Sequence, residues 1–269
     1  MFKFIDNILP RLLGCTTLAR EAGSLYDDDG CSNNKDDVVT PFRNQFANFR
    51  KKIMAPQPAQ AHDDINAVGE ARPRLICGLG NPGTKYVGTR HNIGVSCLDE
   101  LAIAYGLATD RKKSSESAFR EIDINGAKIL LAYPTSFYNE TGIGLGKKIK
   151  KQGIKASEVV VICDDIDLRA GEVRMRLTGG NGGNRGLKSI INVLGTQHVP
   201  RIRVGVGRPI GENSQPVYGS DEIANWVLSR PHASDLEQLS VVMSQIVSAV
   251  KISITDSNES AMNFLNSGT

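Results

Sequence analysis

LICGLGNPGTKYVGTRHN, Leu75 to Asn92, is the stretch on which the fold turns. An apolar run that reads as a strand leads into Gly78, Gly80 and Gly83, spaced as the G-x-G-x-x-G of a dinucleotide-binding loop. That loop works only if the next helix begins inside the glycines, so that its first amides face a pyrophosphate. Here Pro82 and Gly83 begin a turn instead. The next helical pattern, Ile93, Leu98, Leu101 and Ala102, starts near His91, and Asp99 and Glu100 fall inside it rather than closing a second strand. The stretch therefore reads as strand, turn, and a helix that opens at a histidine.

Working outward, apolar strand-like runs alternate with amphipathic stretches. The strands are RLICGL, FREIDI, KILLAYP, VVVICD, EVRMRL and RIRVGVG; helices are predicted near 92–105, 139–152, 184–194, 221–228 and 234–255. This alternation predicts an α/β fold: a mixed, largely parallel twisted sheet with helices on both faces, three layers in a single domain over 73–269. Residues 1–72 contrast with it. YDDDGCSNNKDD and APQPAQAHDD are polar and aperiodic, and the segment is expected to be a disordered or weakly structured extension. FKFIDNILPRLL near its start has some character of an organelle transit segment, opposed by the acidic cluster behind it. A cytoplasmic location is expected, with a mitochondrion or plastid as the alternative.

The chain has 269 residues and a net charge of +3. Residues 1–72 carry nine Lys or Arg against ten Asp or Glu, so the basic excess lies in the remainder. Between Arg169 and Arg208 there are eight basic residues (Arg169, Arg174, Arg176, Arg185, Lys188, Arg201, Arg203 and Arg208) and one acid, Glu172. Such a run is either a solvated face or a polyanion site. No run approaches about 18 uncharged apolar residues, so no membrane partner is expected. The five cysteines, at 15, 31, 77, 97 and 163, form no C-x-x-C pair, which argues against zinc and against a disulfide framework. A reducing compartment fits.

Chemistry is expected at the carboxyl ends of the parallel strands. LICGL runs into Gly80 and Asn81, KILLAYPTSFY into Asn139, and VVVIC into Asp164 and Asp165. If these strands are parallel neighbours, one imidazole (His91), one or two carboxylates and two amides share a rim that has no Ser or Cys nucleophile. That set suits water-mediated acyl cleavage, with His as base, a carboxylate on its other ring nitrogen and amides at the oxyanion. The plain alternative is a His that only caps a helix. Cys163, inside a β-branched run, is read as core.

The chain resembles the bacterial-type peptidyl-tRNA hydrolases over nearly all of 74–265, through GLGNPGTKYVGTRHNIG, PTSFYNETG, CDDIDLRAGEVRMRLTGGNGGNRGLKSI and RIRVGVGRP in that order. The resemblance implies cleavage of the ester between a peptide and the 3′ end of tRNA without metal or cofactor; the expected partner is the acceptor stem and 3′ end of peptidyl-tRNA, and a monomer is expected. It places the catalytic His at His91, its orienting Asp at Asp164 and substrate-binding Asn residues at Asn81 and Asn139. Tyr86 and Phe137 would shape the site, and Tyr138 stands where Met is frequent. Arg174, Arg176 and Arg203 would grip tRNA phosphates, aided by Lys188 and Arg201.

One loop departs from the family pattern. Where many members read GGHGGHNGL, this chain reads GGNGGNRGL, with Asn181 and Asn184 for both histidines and Arg185 for a third substrate-handling Asn. Arg185 is still assigned to substrate, with Asn184 a candidate source of the missing amide. A different class remains open: an RNA-binding protein that keeps the fold without turnover, as in plant chloroplast splicing factors related to the family.

Overall fold

The β-branched run Val159–Asp165 forms the middle of the sheet because every residue but the last is buried, which an amphipathic strand could not satisfy. The computed structural model describes residues 65–107, 119–211 and 213–267. In chain order they form α1 (Ile65–Glu70), β1 (Leu75–Gly78), α2 (Ile93–Ala104), β2 (Phe119–Ile124), β3 (Ala127–Ala132), α3 (Thr141–Gln152), β4 (Val159–Asp165), β5 (Val173–Arg176), α4 (Arg185–Leu194), β6 (Arg201–Gly205), α5 (Ser220–Leu228), α6 (Ala233–Thr255) and α7 (Asn258–Asn266).

The six-stranded sheet has the order β2-β3-β1-β4-β6-β5. The four inner strands are parallel, and the edge strands β2 and β5 run antiparallel to their neighbours. The expected parallel neighbourhood of the first, third and fourth strands is thus present, as β3-β1-β4. Side chains alternate between two cores, as the strand period requires. Ile76, Val160, Ile162, Ile202 and Val204 face α2, α6 and α7; Leu75, Cys77, Val159, Val161 and Cys163 face α3 and α4. Helices therefore cover both faces.

The α2 helix lies unusually close to the sheet. A Cβ on Gly78 would come 2.3 Å from the Gly94 carbonyl oxygen, and one on Gly94 would come 2.4 Å from that of Ile162. Only glycines allow this approach, and it delivers the residues just before α2 to the ends of β1 and β4. On the same helix Leu98 is fully buried, so truncation to Ala should cost about 2–5 kcal/mol.

The described residues begin at 65, ahead of the boundary expected at 73, with the short helix α1. Val68 of α1 is fully buried, and the buried Asn258 donates from Nδ2 to the carbonyls of Val68 (3.2 Å) and Ser157 (3.0 Å). One amide thus ties α1, α7 and the approach to β4 together. The rest of the extension, including the transit-like stretch, lies outside the described residues. The α6 helix is long and apolar enough by length and composition to cross a bilayer, although its charged residues interrupt any fully uncharged run. Its Leu236, Leu239, Val242, Met243, Ile246 and Val250 are instead buried in the main core.

Candidate active site

The rim is built from three strand ends. After β1 the chain turns at Asn81, whose backbone is clasped by one side chain: Asn92 Nδ2 donates to the Asn81 carbonyl (2.9 Å), and Asn92 Oδ1 accepts the Asn81 N–H (2.8 Å). Asn81 Oδ1 accepts the backbone N–H of Tyr138 from the turn after β3 (2.9 Å). The β1 and β3 ends are therefore locked to one another through the amide oxygen. The amide is consequently oriented, and its Nδ2 has no partner among the described residues.

His91 sits in the single turn Arg90–Asn92 ahead of α2. Its Nδ1 lies 2.8 Å from Asp164 Oδ2 at the end of β4, with Asp164 almost wholly buried and the imidazole side chain 19% exposed. A carboxylate accepts, so Nδ1 carries the proton and Nε2 keeps its lone pair. The residue beside His91 anchors this turn. Arg90 is buried, donates to Ser229 Oγ and the Arg230 carbonyl (both 2.7 Å), and stacks on Trp226 at 3.5 Å. Burial lowers its pKa, opposed by the nearby Asp235.

Of the neighbouring acids, only Asp164 meets the imidazole. Asp165 Oδ2 accepts from Arg203 Nε (2.6 Å), and Asp167 pairs with Arg208. The two carboxylates left open by the sequence are thereby separated in role.

Tyr138, standing where Met is frequent in the family, joins the site in a way its sequence position does not signal. Its ring stacks on His91 with centroids 3.5 Å apart and planes inclined by 12°. Its hydroxyl donates to Asp164 Oδ1 at 2.5 Å and accepts from Asn184 Nδ2 at 2.7 Å. Burial, reinforced by the Asp164 charge, pushes the phenol well above its ordinary pKa, which keeps it a donor.

Asn184 is not the spare amide the sequence suggested. Its Oδ1 accepts the Leu187 N–H (3.0 Å) as the N-cap of α4, and its Nδ2 is taken by Tyr138. Arg185, the first residue of α4, is exposed and has no partner among the described residues. Asn139 is exposed, Phe137 is 58% exposed, and Tyr86 is half-buried with the Lys85 ammonium 4.8 Å from its ring centre. Among the described residues, no hydrogen bond or ring contact joins these three to His91 or Asp164.

The basic residues divide by burial. Arg174 and Arg176 of β5 pair in register with Arg203 and Arg201 of β6, so all four share the face of Cys163 and Val161. Arg201 is 2% exposed and spends its guanidinium on the carbonyls of Gly179 (2.8 Å), Gly180 (3.3 Å) and Gln197 (3.3 Å). It props the glycine loop and is not a phosphate helper; burial lowers its pKa to about 10. Arg203 is committed through Nε to Asp165, while Arg176 and Lys188 are exposed. Among the described residues, no group of three His, Cys, Asp or Glu is placed to hold a metal.

An α/β sheet with a buried Asp holding a partly exposed His at its parallel strand ends, beside an oriented amide and a basic edge, defines a class of site suited to acyl transfer to water. The peptidyl-tRNA hydrolase family model matches residues 75–269, and the chain belongs to that family. Over 194 residues it is 37% identical to the peptidyl-tRNA hydrolase of Dichelobacter nodosus, spanning 72% of this chain and 98% of that protein. Over 202 residues it is 37% identical to that of a Nostoc species, spanning 73% and 96%. The crystal structure of peptidyl-tRNA hydrolase from Acinetobacter baumannii superposes with a TM-score of 0.63 at 27% identity, covering 72% of this chain and 94% of that one.

Proposed function

We propose that this protein hydrolyses the ester joining a peptide to the 3′ end of tRNA, with His91 as general base. The observation that carries the reading is the 2.8 Å contact between His91 Nδ1 and Asp164 Oδ2, which leaves Nε2 free to take a proton. A water held at Nε2 loses a proton as its oxygen attacks the ester carbonyl carbon. Asp164 stabilises the imidazolium that forms. Asn81 Nδ2 donates to the oxyanion or to the substrate carbonyl, since its Oδ1 is already used by Tyr138. The ester C–O bond then breaks, and the imidazolium returns its proton to the departing ribose oxygen. The products are a peptide carboxylic acid and a free tRNA hydroxyl.

Around this centre, Tyr86, Phe137 and Asn139 line the approach of the peptidyl ester. Arg174, Arg176, Lys188, Arg185 and the outer nitrogens of Arg203 meet the phosphates of the acceptor stem. One chain carries the complete set, so a monomer suffices. The reaction belongs wherever peptidyl-tRNA arises: the cytoplasm, or a mitochondrion or plastid if residues 1–72 hold a transit segment.

The test is release of tRNA from peptidyl-tRNA at enzyme concentrations far below substrate. Wild type is expected to turn over, and His91→Ala to lose about 10²- to 10⁴-fold in kcat with tRNA affinity kept. A wild-type protein that binds tRNA but releases none would make it an RNA-binding member of the fold instead.

A further inference from the structure

We infer that Tyr138 is a positioning residue for the His91–Asp164 pair, fixing the carboxylate through its second oxygen and the imidazole through its face. The inference rests on the hydrolase reading for its kinetic consequence, but its geometric basis is independent. Asp164 has two oxygens; Oδ2 faces His91 and Oδ1 receives the Tyr138 hydroxyl. Without that second bond the carboxylate would turn about its last torsion, and the imidazole would lose a fixed partner.

The phenol is itself held on every side. Asn184 Nδ2 donates to its oxygen, so the oxygen's own hydrogen points to Asp164. Its backbone N–H is bound by Asn81 Oδ1, and its carbonyl accepts from Thr141 Oγ1 (2.9 Å). One ring face is covered by His91, and the ring edge lies against Gly186, where an added Cβ would come 2.5 Å from Tyr138 Cε1. The order of donation is therefore Asn184 to Tyr138 to Asp164, with His91 donating to the other oxygen. The next acid along β4, Asp165, is paired with Arg203.

Two effects of the hydroxyl follow. It holds Oδ2 in line with Nδ1, which supports turnover, and it draws negative charge from the carboxylate, which weakens its pull on an imidazolium. Removing it should therefore slow the reaction and, at the same time, favour the protonated ring. A group that only filled space would do neither. Because Tyr138 is 4% exposed, substrate affinity should hardly depend on the hydroxyl.

The experiment compares wild type with Tyr138→Phe and Tyr138→Met, the second keeping a flexible apolar filler should the first repack. Two readouts are taken: kcat and KM on peptidyl-tRNA against pH, and the His91 imidazole titration followed by NMR of nitrogen-labelled protein, its signal assigned with His91→Gln. The expected result is a kcat lower by about tenfold in both variants, as for loss of one bond to a charged group, with KM within about twofold. The acidic limb of the profile and the NMR titration should both move to higher pH. An unmoved His91 titration and an unmoved limb in both folded variants would overturn the inference. The NMR arm needs no turnover, so an inactive wild type would refute the hydrolase reading while still testing the contact.

Discussion

Asp164 Oδ2 reaches His91 Nδ1 across 73 positions of sequence, while the very next residue, Asp165, turns its carboxylate to Arg203. Adjacent residues on a strand face opposite sides, so one acid serves the imidazole and the other serves the basic edge. Asp164→Asn keeps the shape but can no longer balance an imidazolium, and is expected to lower kcat by roughly 10²- to 10⁴-fold. Asp165→Asn should change kcat by less than about threefold, because a partly exposed ion pair contributes about 0–1 kcal/mol. Steady-state kinetics on both variants checks the assignment, and equal losses would contradict it.

The arginines should separate by burial. Arg176→Ala and Lys188→Ala remove exposed cations, and each is expected to raise KM for full-length peptidyl-tRNA and to reduce the salt dependence of binding by about one phosphate contact. A short ester mimic without those phosphates should be cleaved as before. Arg201→Ala is different, since it strips the partners from the carbonyls of Gly179, Gly180 and Gln197. Its expected effect is a loss of about 1–3 kcal/mol in unfolding free energy, read by denaturant titration.

Cys77, Cys97 and Cys163 are buried and free. Burial raises all three thiols, Cys77 to about 12. Each thiol therefore stays protonated at neutral pH and is in addition shielded from reagent. All three are expected to resist alkylation in the native protein and to react on unfolding, as peptide mapping after a timed iodoacetamide pulse would show. Fast native labelling of Cys163 would contradict its place in the core beneath Asp164.

The sheet was legible because its strands are short apolar or alternating runs set between longer amphipathic stretches, and local pattern suffices for that. Two helices escaped for the same reason: α1 and α7 bury few apolar side chains, Val68 in one and Ala261 and Leu265 in the other, too few to make a period. At the site, Asn81 and Asp164 could be placed as strand-end residues, and His91 as the opening of the helix that follows β1. The role of Tyr138 could not, since its partners Asp164 and Asn184 lie 26 and 46 positions away and only the packed sheet brings them together. Arg201 and Arg176 were likewise indistinguishable in sequence. They pair in register on one face, and only the glycine loop folded over Arg201 makes it structural.

Arg185 concentrates the remaining difference from the family pattern. It opens α4, so its cation sits at the positive end of the helix, an arrangement that costs about 0.3–1 kcal/mol in an exposed helix. Neither Asp164 nor Tyr138 binds it, and Asn184, one residue earlier, spends its own amide on the cap and on Tyr138. The guanidinium is therefore free to meet a phosphate, with the reach and permanent charge that an Asn lacks. Arg185→Ala is expected to weaken tRNA binding by about 0.5–2 kcal/mol with kcat largely intact. It should also leave the melting temperature unchanged or slightly raised, because an unfavourable end charge is gone. Filter binding, kinetics and calorimetry on one preparation would decide. If Arg185→Asn instead created turnover in a protein that otherwise only bound tRNA, Arg185 would be an obstruction, and the binding reading would replace the hydrolase.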